Sequence, residues 1–180
     1  MNATEDNAKK YEEPRAHELR ARYHQLFEAP ELPVPVESIA EDLLGLHVEL
    51  EELDGVSGLL YPAERRIVLH ASEPETRRRF TLAHELGHWV CQCLEGTERP
   101  VLCRAEEVGL DPEAKALERE ANIFAAEMLM PEEAVLRTWA GSVETAAERF
   151  GVSGEAIHWR LYNLSLIAGP PIDPIQSRCA

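Results

Sequence analysis

The segment His84-Glu-Leu-Gly-His88 limits what this chain can fold into more than any other part of its sequence. It reads H-E-x-x-H, and it lies in an apolar stretch over residues 80–90. On a helix, His84 and His88 are four residues apart and project from the same face. Apolar side chains point to several other sides, which is typical of a helix inside a core. Because buried polar groups need partners, such a helix requires something that binds its two imidazoles.

A divalent metal ion is the partner that this spacing predicts. Two imidazole nitrogens placed this way can share one Zn²⁺, which favours nitrogen ligands and tetrahedral geometry. Glu85 lies one step round the helix and can reach a water on the metal without itself being a ligand. The alternative is that these are ordinary surface residues, since the bare pattern also occurs by chance. The apolar context favours a hydrolytic zinc site, with His84 and His88 as ligands and Glu85 as general base.

A hydrolytic zinc site keeps three protein ligands and one open position, so a third ligand must come from elsewhere in the chain. Residues 111–130 form a predicted amphipathic helix with two candidates. At about 100° per residue, Glu118 falls roughly 60° from the centre of the apolar stripe and Glu120 roughly 100° away on the other side. Glu118 is therefore the predicted ligand, and Asn122 is placed to orient a histidine. The alternative is that both glutamates are solvated surface charges.

Two segments carry a family resemblance: Phe80-Thr-Leu-Ala-His-Glu-Leu-Gly-His88 and Glu118-Arg-Glu-Ala-Asn-Ile-Phe-Ala-Ala-Glu-Met-Leu-Met-Pro131. Together, in this order and at this separation, they closely resemble the ImmA/IrrE metallopeptidases. These are bacterial zincin-like proteins often encoded beside helix-turn-helix repressors. The resemblance extends more loosely over residues 33–167.

The resemblance implies a ligand set, an activity and a partner. Carried over by position, it implies His84, His88 and Glu118 as zinc ligands and Glu85 as catalytic base. It implies cleavage of a partner helix-turn-helix repressor under stress or signalling, and many relatives lie in mobile elements or toxin–antitoxin-like pairs. The alternative is a non-cleaving, antitoxin-like or regulatory partner that sequesters a repressor or toxin.

Composition limits the cellular location of the protein and the kinds of bond that stabilise it. No stretch reaches the roughly 18 apolar residues of a membrane span, and residues 1–13 lack the apolar region of a secretory signal. We therefore expect a cytoplasmic protein without membrane contact. The four cysteines, none in a C-x-x-C pair, argue against a disulfide framework. Cys91, three residues after His88, could face the metal, but a small apolar core residue is the favoured interpretation.

The net charge of −15 argues against direct DNA binding, because an acidic surface repels the phosphate backbone. The same charge favours a basic partner such as a DNA-binding repressor. Plain solubility is the alternative explanation, since acidic proteins are common.

Hydrophobic periodicity predicts an α+β fold that is mainly helical, with a small antiparallel sheet and a C-terminal helix-turn-helix-like unit. Helices are expected over residues 14–29 and 36–44, strands over 47–53, 58–61 and 66–70, and a loop over 95–110. Ser72 and Glu75 predict a capping box at the start of the H-E-x-x-H helix. By analogy with zincin-like folds, residues 55–61 are the expected edge for binding a peptide strand.

The predicted organisation is a disordered N-terminus (1–13), a zincin-like domain (14–140), a helix-turn-helix-like unit packed on it (141–168) and a flexible tail (169–180). In that unit, Arg149 and Arg160 stand against Glu144, Glu148 and Glu155. A DNA reader normally shows a basic face, so a packing or substrate-docking role is favoured over DNA binding. Candidate donors for the transition-state oxyanion remain open among Tyr61, His70, His158 and Tyr162.

Overall fold

Helices form most of the described chain, in agreement with the predicted mainly helical α+β fold. The structure is a computed structural model that describes residues 13–93, 101–103 and 112–171. Its helices are α1 (Pro14–Phe27), α2 (Val36–Ser38, continued by a π-helical turn over Ile39–Leu43), α3 (Glu75–His88, continued by a π-helical turn over Trp89–Cys93), α4 (Pro112–Leu129), α5 (Glu132–Thr138), α6 (Val143–Phe150) and α7 (Gly154–Asn163). No helix in these ranges is both long and apolar enough to cross a bilayer.

The sheet is mixed, which corrects the expectation of an antiparallel one. Its strands are β1 (His47–Glu51), β2 (Gly58–Tyr61), β3 (Arg66–His70) and β4 (Val101–Cys103), in the spatial order β1-β3-β2-β4. The β2–β3 hairpin forms as predicted, around a 3₁₀ turn at Pro62–Glu64. Because β2 takes one edge of β3, β1 pairs with the other edge, and it does so in parallel. Alternation of side chains shows which residues form a strand but not the direction in which it pairs.

Strand β4 lies where a loop was expected, and it changes which strand is at the edge. It pairs antiparallel with β2, with Gly58 opposite Cys103. The predicted peptide-binding edge at residues 55–61 is therefore wrong for the described sheet, whose outer strands are β1 and β4. The rest of the predicted loop lies outside the described residues.

Helix α3 begins later than a capping box at Ser72 would place it. Pro74 is the N-cap residue and makes no side-chain capping bond, and the helix starts at Glu75. The Ser72 hydroxyl instead donates to Glu52 Oε1 over 2.7 Å. The capping-box prediction is wrong because Pro74 disfavours a helical backbone at Glu73, the residue before it, so the helix cannot begin directly after Ser72.

One hydrophobic core joins the sheet, the central helices and the C-terminal helices. Helix α3 packs along α4 on one side and against β2 and β3 on the other. The buried side chains of this core include Leu60, Ile67, Leu82, Leu86, Phe124, Met128, Ile157 and Leu161.

The C-terminal helices form the predicted helix-turn-helix shape, but one of their two arginines is buried. Gly151 (φ 63°) ends α6 in a left-handed conformation, which glycine adopts without a steric penalty. Arg160 is 2% exposed; it donates to the Met130 carbonyl over 2.9 Å and pairs with Glu127 on α4. This arginine therefore ties α7 to α4 and is not available to a nucleic acid. The domain boundaries stay a prediction, and residues 1–12 and 172–180 lie outside the described ranges.

Candidate metal centre

Three predicted site residues meet where α3 crosses α4. The Nε2 atoms of His84 and His88 are 2.9 Å apart. Glu118 Oε2 lies 3.1 Å from His84 Nε2, and Glu118 Oε1 lies 3.3 Å from His88 Nε2. His84 is 4% exposed, His88 is 1% exposed and the Glu118 side chain is 17% exposed. The fold thus brings three metal-binding groups from two helices to one buried point.

The size of this triangle suits zinc. Zinc bonds of about 2.0–2.1 Å in tetrahedral geometry separate ligand atoms by roughly 3.3–3.4 Å. The two separations across the helices, 3.1 and 3.3 Å, are already close to this value, and only the 2.9 Å between the two imidazoles of α3 would lengthen, by about 0.4 Å, to admit the ion. Two imidazole nitrogens and one carboxylate form a donor set that zinc accepts in hydrolytic sites. His84, His88 and Glu118 therefore fit a zinc ion in both chemistry and spacing.

Each histidine is also held at its other ring nitrogen. Asn122 Oδ1 lies 2.9 Å from His84 Nδ1, as the sequence predicted for an orienting residue one turn beyond Glu118. Gln92 Oε1 lies 2.7 Å from His88 Nδ1, and the Gln92 amide donates to the Leu117 carbonyl over 3.0 Å. Such contacts fix the ring orientation of a ligand. Sequence reasoning missed Gln92, although its position four residues after His88 was a readable signal.

The electrostatics of the cluster favour a cation at its centre. Burial disfavours the charged carboxylate of Glu118, yet hydrogen bonds from His84 and His88 outweigh burial and lower its pKa to about 2. Burial likewise lowers the pKa of His88, but hydrogen bonds with Glu118 and Gln92 outweigh it, so the pKa is raised. Without a metal, the Glu118 carboxylate therefore stabilises the protonated form of His88.

Glu85 lies on the face of α3 that meets the sheet. It is fully buried, and β2 passes beside it at Gly58. A Cβ added to Gly58 would lie 3.0 Å from Glu85 Oε1 and 2.6 Å from Thr81 Cγ2. A glycine is therefore required for β2 to approach the helix this closely. The Glu85 carboxylate therefore lies against β2.

A second glycine lets the two ligand-bearing helices approach each other. A Cβ on Gly87 would lie 2.9 Å from Ala121 Cα and 3.2 Å from Phe124 Cβ. Ala121 and Phe124 both lie on α4, about one and two turns after Glu118. The glycine of the H-E-x-x-H segment thus sets the distance at which histidines and glutamate can share an ion.

Glu120 points away from the histidines, as its helical angle predicted. Its Oε1 accepts from Arg15 over 2.8 Å, and the same guanidinium also bonds Glu13. Cys91 completes this second cluster of metal-binding types, on a different side of α3 from His84. Burial raises the pKa of the Cys91 thiol to about 12. Arg15 already bonds both carboxylates and the raised pKa disfavours the thiolate, so this cluster is a weaker candidate for a metal ion than the triangle.

The four candidate oxyanion donors make their described contacts elsewhere. Arg66 lies over the Tyr61 ring at 4.3 Å from its centroid, and His70 Nδ1 lies 3.7 Å from Glu52 Oε2. His158 contacts the Gly169 carbonyl, and Tyr162 packs edge-on against Trp159. The choice among them stays open.

Comparison with known proteins gives one family and one shared fold. The family model described as the IrrE N-terminal-like domain, Peptidase_M78, matches residues 41–162, which include every residue of the triangle. A Mycobacterium tuberculosis transcriptional regulator of known structure has a similar fold, with a TM-score of 0.58 and 19% identity. The match covers 89% of this chain but 52% of that one, so this chain spans about half the regulator's length. No curated protein sequence matches the chain significantly. Because the family model covers well over half of its residues, the chain belongs to the IrrE N-terminal-like peptidase family.

Proposed function

We propose that this protein is a zinc-dependent endopeptidase that cleaves a partner helix-turn-helix repressor in the cytoplasm, as part of a stress or mobile-element switch. The observation that carries the proposal is the convergence of His84, His88 and Glu118 beside a buried Glu85, in a chain of a peptidase family. A purely structural metal site has no need of such a general base.

The ligands proposed for zinc are His84 Nε2, His88 Nε2 and a Glu118 carboxylate oxygen. Bound zinc would supply a Lewis acid that lowers the pKa of a water toward 7 and polarises the scissile carbonyl. Glu85 takes the proton as the water attacks, and its carboxylate then passes that proton to the departing amine. Asn122 and Gln92 contact the Nδ1 atoms of His84 and His88 and so orient both Nε2 atoms toward the ion.

A repressor is the proposed substrate on grounds of family and charge. The family resemblance implies a helix-turn-helix partner, and DNA-binding proteins carry the basic surface that a chain of net charge −15 attracts. The burial of Arg160 in an ion pair with Glu127 argues against DNA itself as the ligand of the C-terminal helices. Those helices are the proposed docking module for the substrate.

The test is cleavage of helix-turn-helix repressors from the same genome, with zinc-loaded wild type and Glu85→Gln. We expect fragments with wild type, and a rate at least about 10² lower with the variant, because general base catalysis contributes about 10²–10⁴. Zinc content should be unchanged in Glu85→Gln. Glu120→Gln is the matched control, since Glu120 bonds Arg15 outside the triangle. Equal cleavage by wild type and Glu85→Gln would remove Glu85 from the base role.

A sequestering partner is the second candidate, and the closed state of the site is the observation in its favour. Glu85 is 0% exposed and His88 1%, whereas a peptidase must admit both water and a peptide. This function predicts a stable complex with the helix-turn-helix protein and no fragments from wild type. The same experiment therefore separates the two functions.

A further inference from the structure

Gln92 bridges the two helices that carry the proposed ligands. Its Oε1 lies 2.7 Å from His88 Nδ1 on α3. Its Nε2 donates over 3.0 Å to the carbonyl of Leu117, the residue directly before Glu118 on α4. One amide thus contacts both a proposed ligand and the backbone that precedes another.

The Leu117 carbonyl fixes the orientation of this amide. A backbone carbonyl only accepts hydrogen bonds, so the group facing it must be the NH₂ of Gln92. The amide oxygen is then left facing His88 Nδ1, and that oxygen also only accepts. His88 must therefore donate from Nδ1, which in the neutral ring leaves the lone pair on Nε2. That nitrogen is the one that faces Glu118 and His84.

We propose that Gln92 is a positioning residue that selects the metal-binding tautomer of His88 and ties it to the segment carrying Glu118. This inference rests on the proposed zinc site and adds to it a residue outside the H-E-x-x-H motif. Gln92 lies in the π-helical turn that follows α3, a form of helix often found at functional sites. This places Gln92 four residues beyond His88 and against α4.

Asn122 contacts His84 in the same way, but the orientation of its amide is less constrained. Its Oδ1 lies 2.9 Å from His84 Nδ1, and no acceptor like the Leu117 carbonyl is described for the other end of its amide. Hydrogen bonds alone therefore fix the amide orientation at Gln92 more firmly than at Asn122. We expect Gln92 to determine its histidine's tautomer more strictly.

The test compares Gln92→Met, which removes the acceptor at similar length, with Gln92→Glu, which keeps an acceptor facing His88. Gln25→Met is the matched control on an exposed position of α1. Zinc dissociation constants are measured by competition with a chelator. Ring ¹⁵N resonances of His88 are recorded for the metal-free proteins at alkaline pH, where the ring is neutral. Melting temperatures of the metal-free proteins check that each variant is folded.

We expect Gln92→Met to weaken zinc binding by about 10–100-fold, the range for lost support of a ligating histidine. Its metal-free His88 should shift from the Nδ1–H form toward the Nε2–H form, because Glu118 Oε1 remains as an acceptor 3.3 Å from Nε2. Gln92→Glu should keep the Nδ1–H tautomer and bind zinc far more tightly than Gln92→Met, and Gln25→Met should match wild type. Equal zinc affinity in Gln92→Met and wild type would overturn the proposal, as would equal losses in Gln92→Met and Gln92→Glu.

Failure of the zinc site itself gives a different result. If wild type binds no zinc, the proposed function fails, but the ¹⁵N spectra still report whether Gln92 selects the tautomer. An Nδ1–H tautomer of His88 that persists unchanged in folded Gln92→Met would refute the role of Gln92 whatever the metal does.

Discussion

Substituting Gly87 by alanine should separate the two helices that hold the proposed ligands. The added Cβ would lie 2.9 Å from Ala121 Cα and 3.0 Å from the Ala121 oxygen. Ordinary contact begins at 3.4 Å, so α3 and α4 must move apart by about 0.5 Å at this point. Both contacted atoms are backbone, which cannot rotate away as a side chain would.

Two energies oppose each other in this variant. Overpacking costs about 1–3 kcal/mol, and replacing glycine within a helix returns about 1 kcal/mol. The net loss of stability should therefore be about 0–2 kcal/mol, so the metal-free protein stays folded. Zinc binding should suffer more, because ligand distances tolerate only about 0.2 Å of error. We expect the zinc dissociation constant to rise at least about tenfold, as when support of a ligand is disturbed.

Chelator competition measures the zinc affinity, and thermal unfolding measures the stability. Gly154→Ala is the matched control, because a Cβ there would meet only Val143 Cγ1, at 4.0 Å. It should leave zinc binding unchanged. The reasoning is refuted if Gly87→Ala binds zinc as tightly as Gly154→Ala does.

Three further predictions concern Glu118 and His88 of the triangle. Glu118→Gln should lose zinc while Glu120→Gln keeps it, and metal analysis showing the reverse would reassign the third ligand. In the metal-free protein, Glu118 contributes stability that is present above pH about 4.5 and lost as the pH falls toward about 2, its pKa in the folded state. Glu118→Gln should therefore flatten the acid limb of the melting-temperature profile; an unchanged limb would contradict this. Zinc must displace the proton of His88, whose pKa is raised above 6.5, so the zinc-induced rise in melting temperature should grow as pH increases through that pKa. A rise independent of pH would contradict a metal bound at His88.

The parts of the site that lie on single helices were predictable from the sequence. The pair His84 and His88 follows from a spacing of four, and the choice of Glu118 over Glu120 follows from their angles to an apolar stripe. The structure places both glutamates on the sides that these angles require. Asn122 was predictable for the same reason, because one turn of helix separates it from Glu118. Such relations depend only on helical geometry.

The features that were missed depend on contacts between distant segments. The parallel pairing of β1 with β3 and the addition of β4 to β2 join segments whose local patterns carry no direction or partner. Arg160 was counted as a surface charge, because its partner Glu127 lies 33 residues earlier in the chain. The position of Gln92 one turn after His88 was readable, but its hydrogen bond to the Leu117 carbonyl was not, because a backbone group leaves no trace in the sequence.

The place of β4 has a consequence for any peptide that joins the sheet. A peptide pairing with the outer side of β4 would lie one strand spacing, about 4.8 Å, farther from Glu85 than β4 itself. A peptide pairing with β2 must first displace Val101–Cys103. Because these residues belong to the same molecule, their effective concentration beside β2 does not fall when the protein is diluted. Cleavage along this second route would be limited to polypeptides that pair with β2 more strongly than those three residues do. Strand exchange would then discriminate among proteins before any bond is broken.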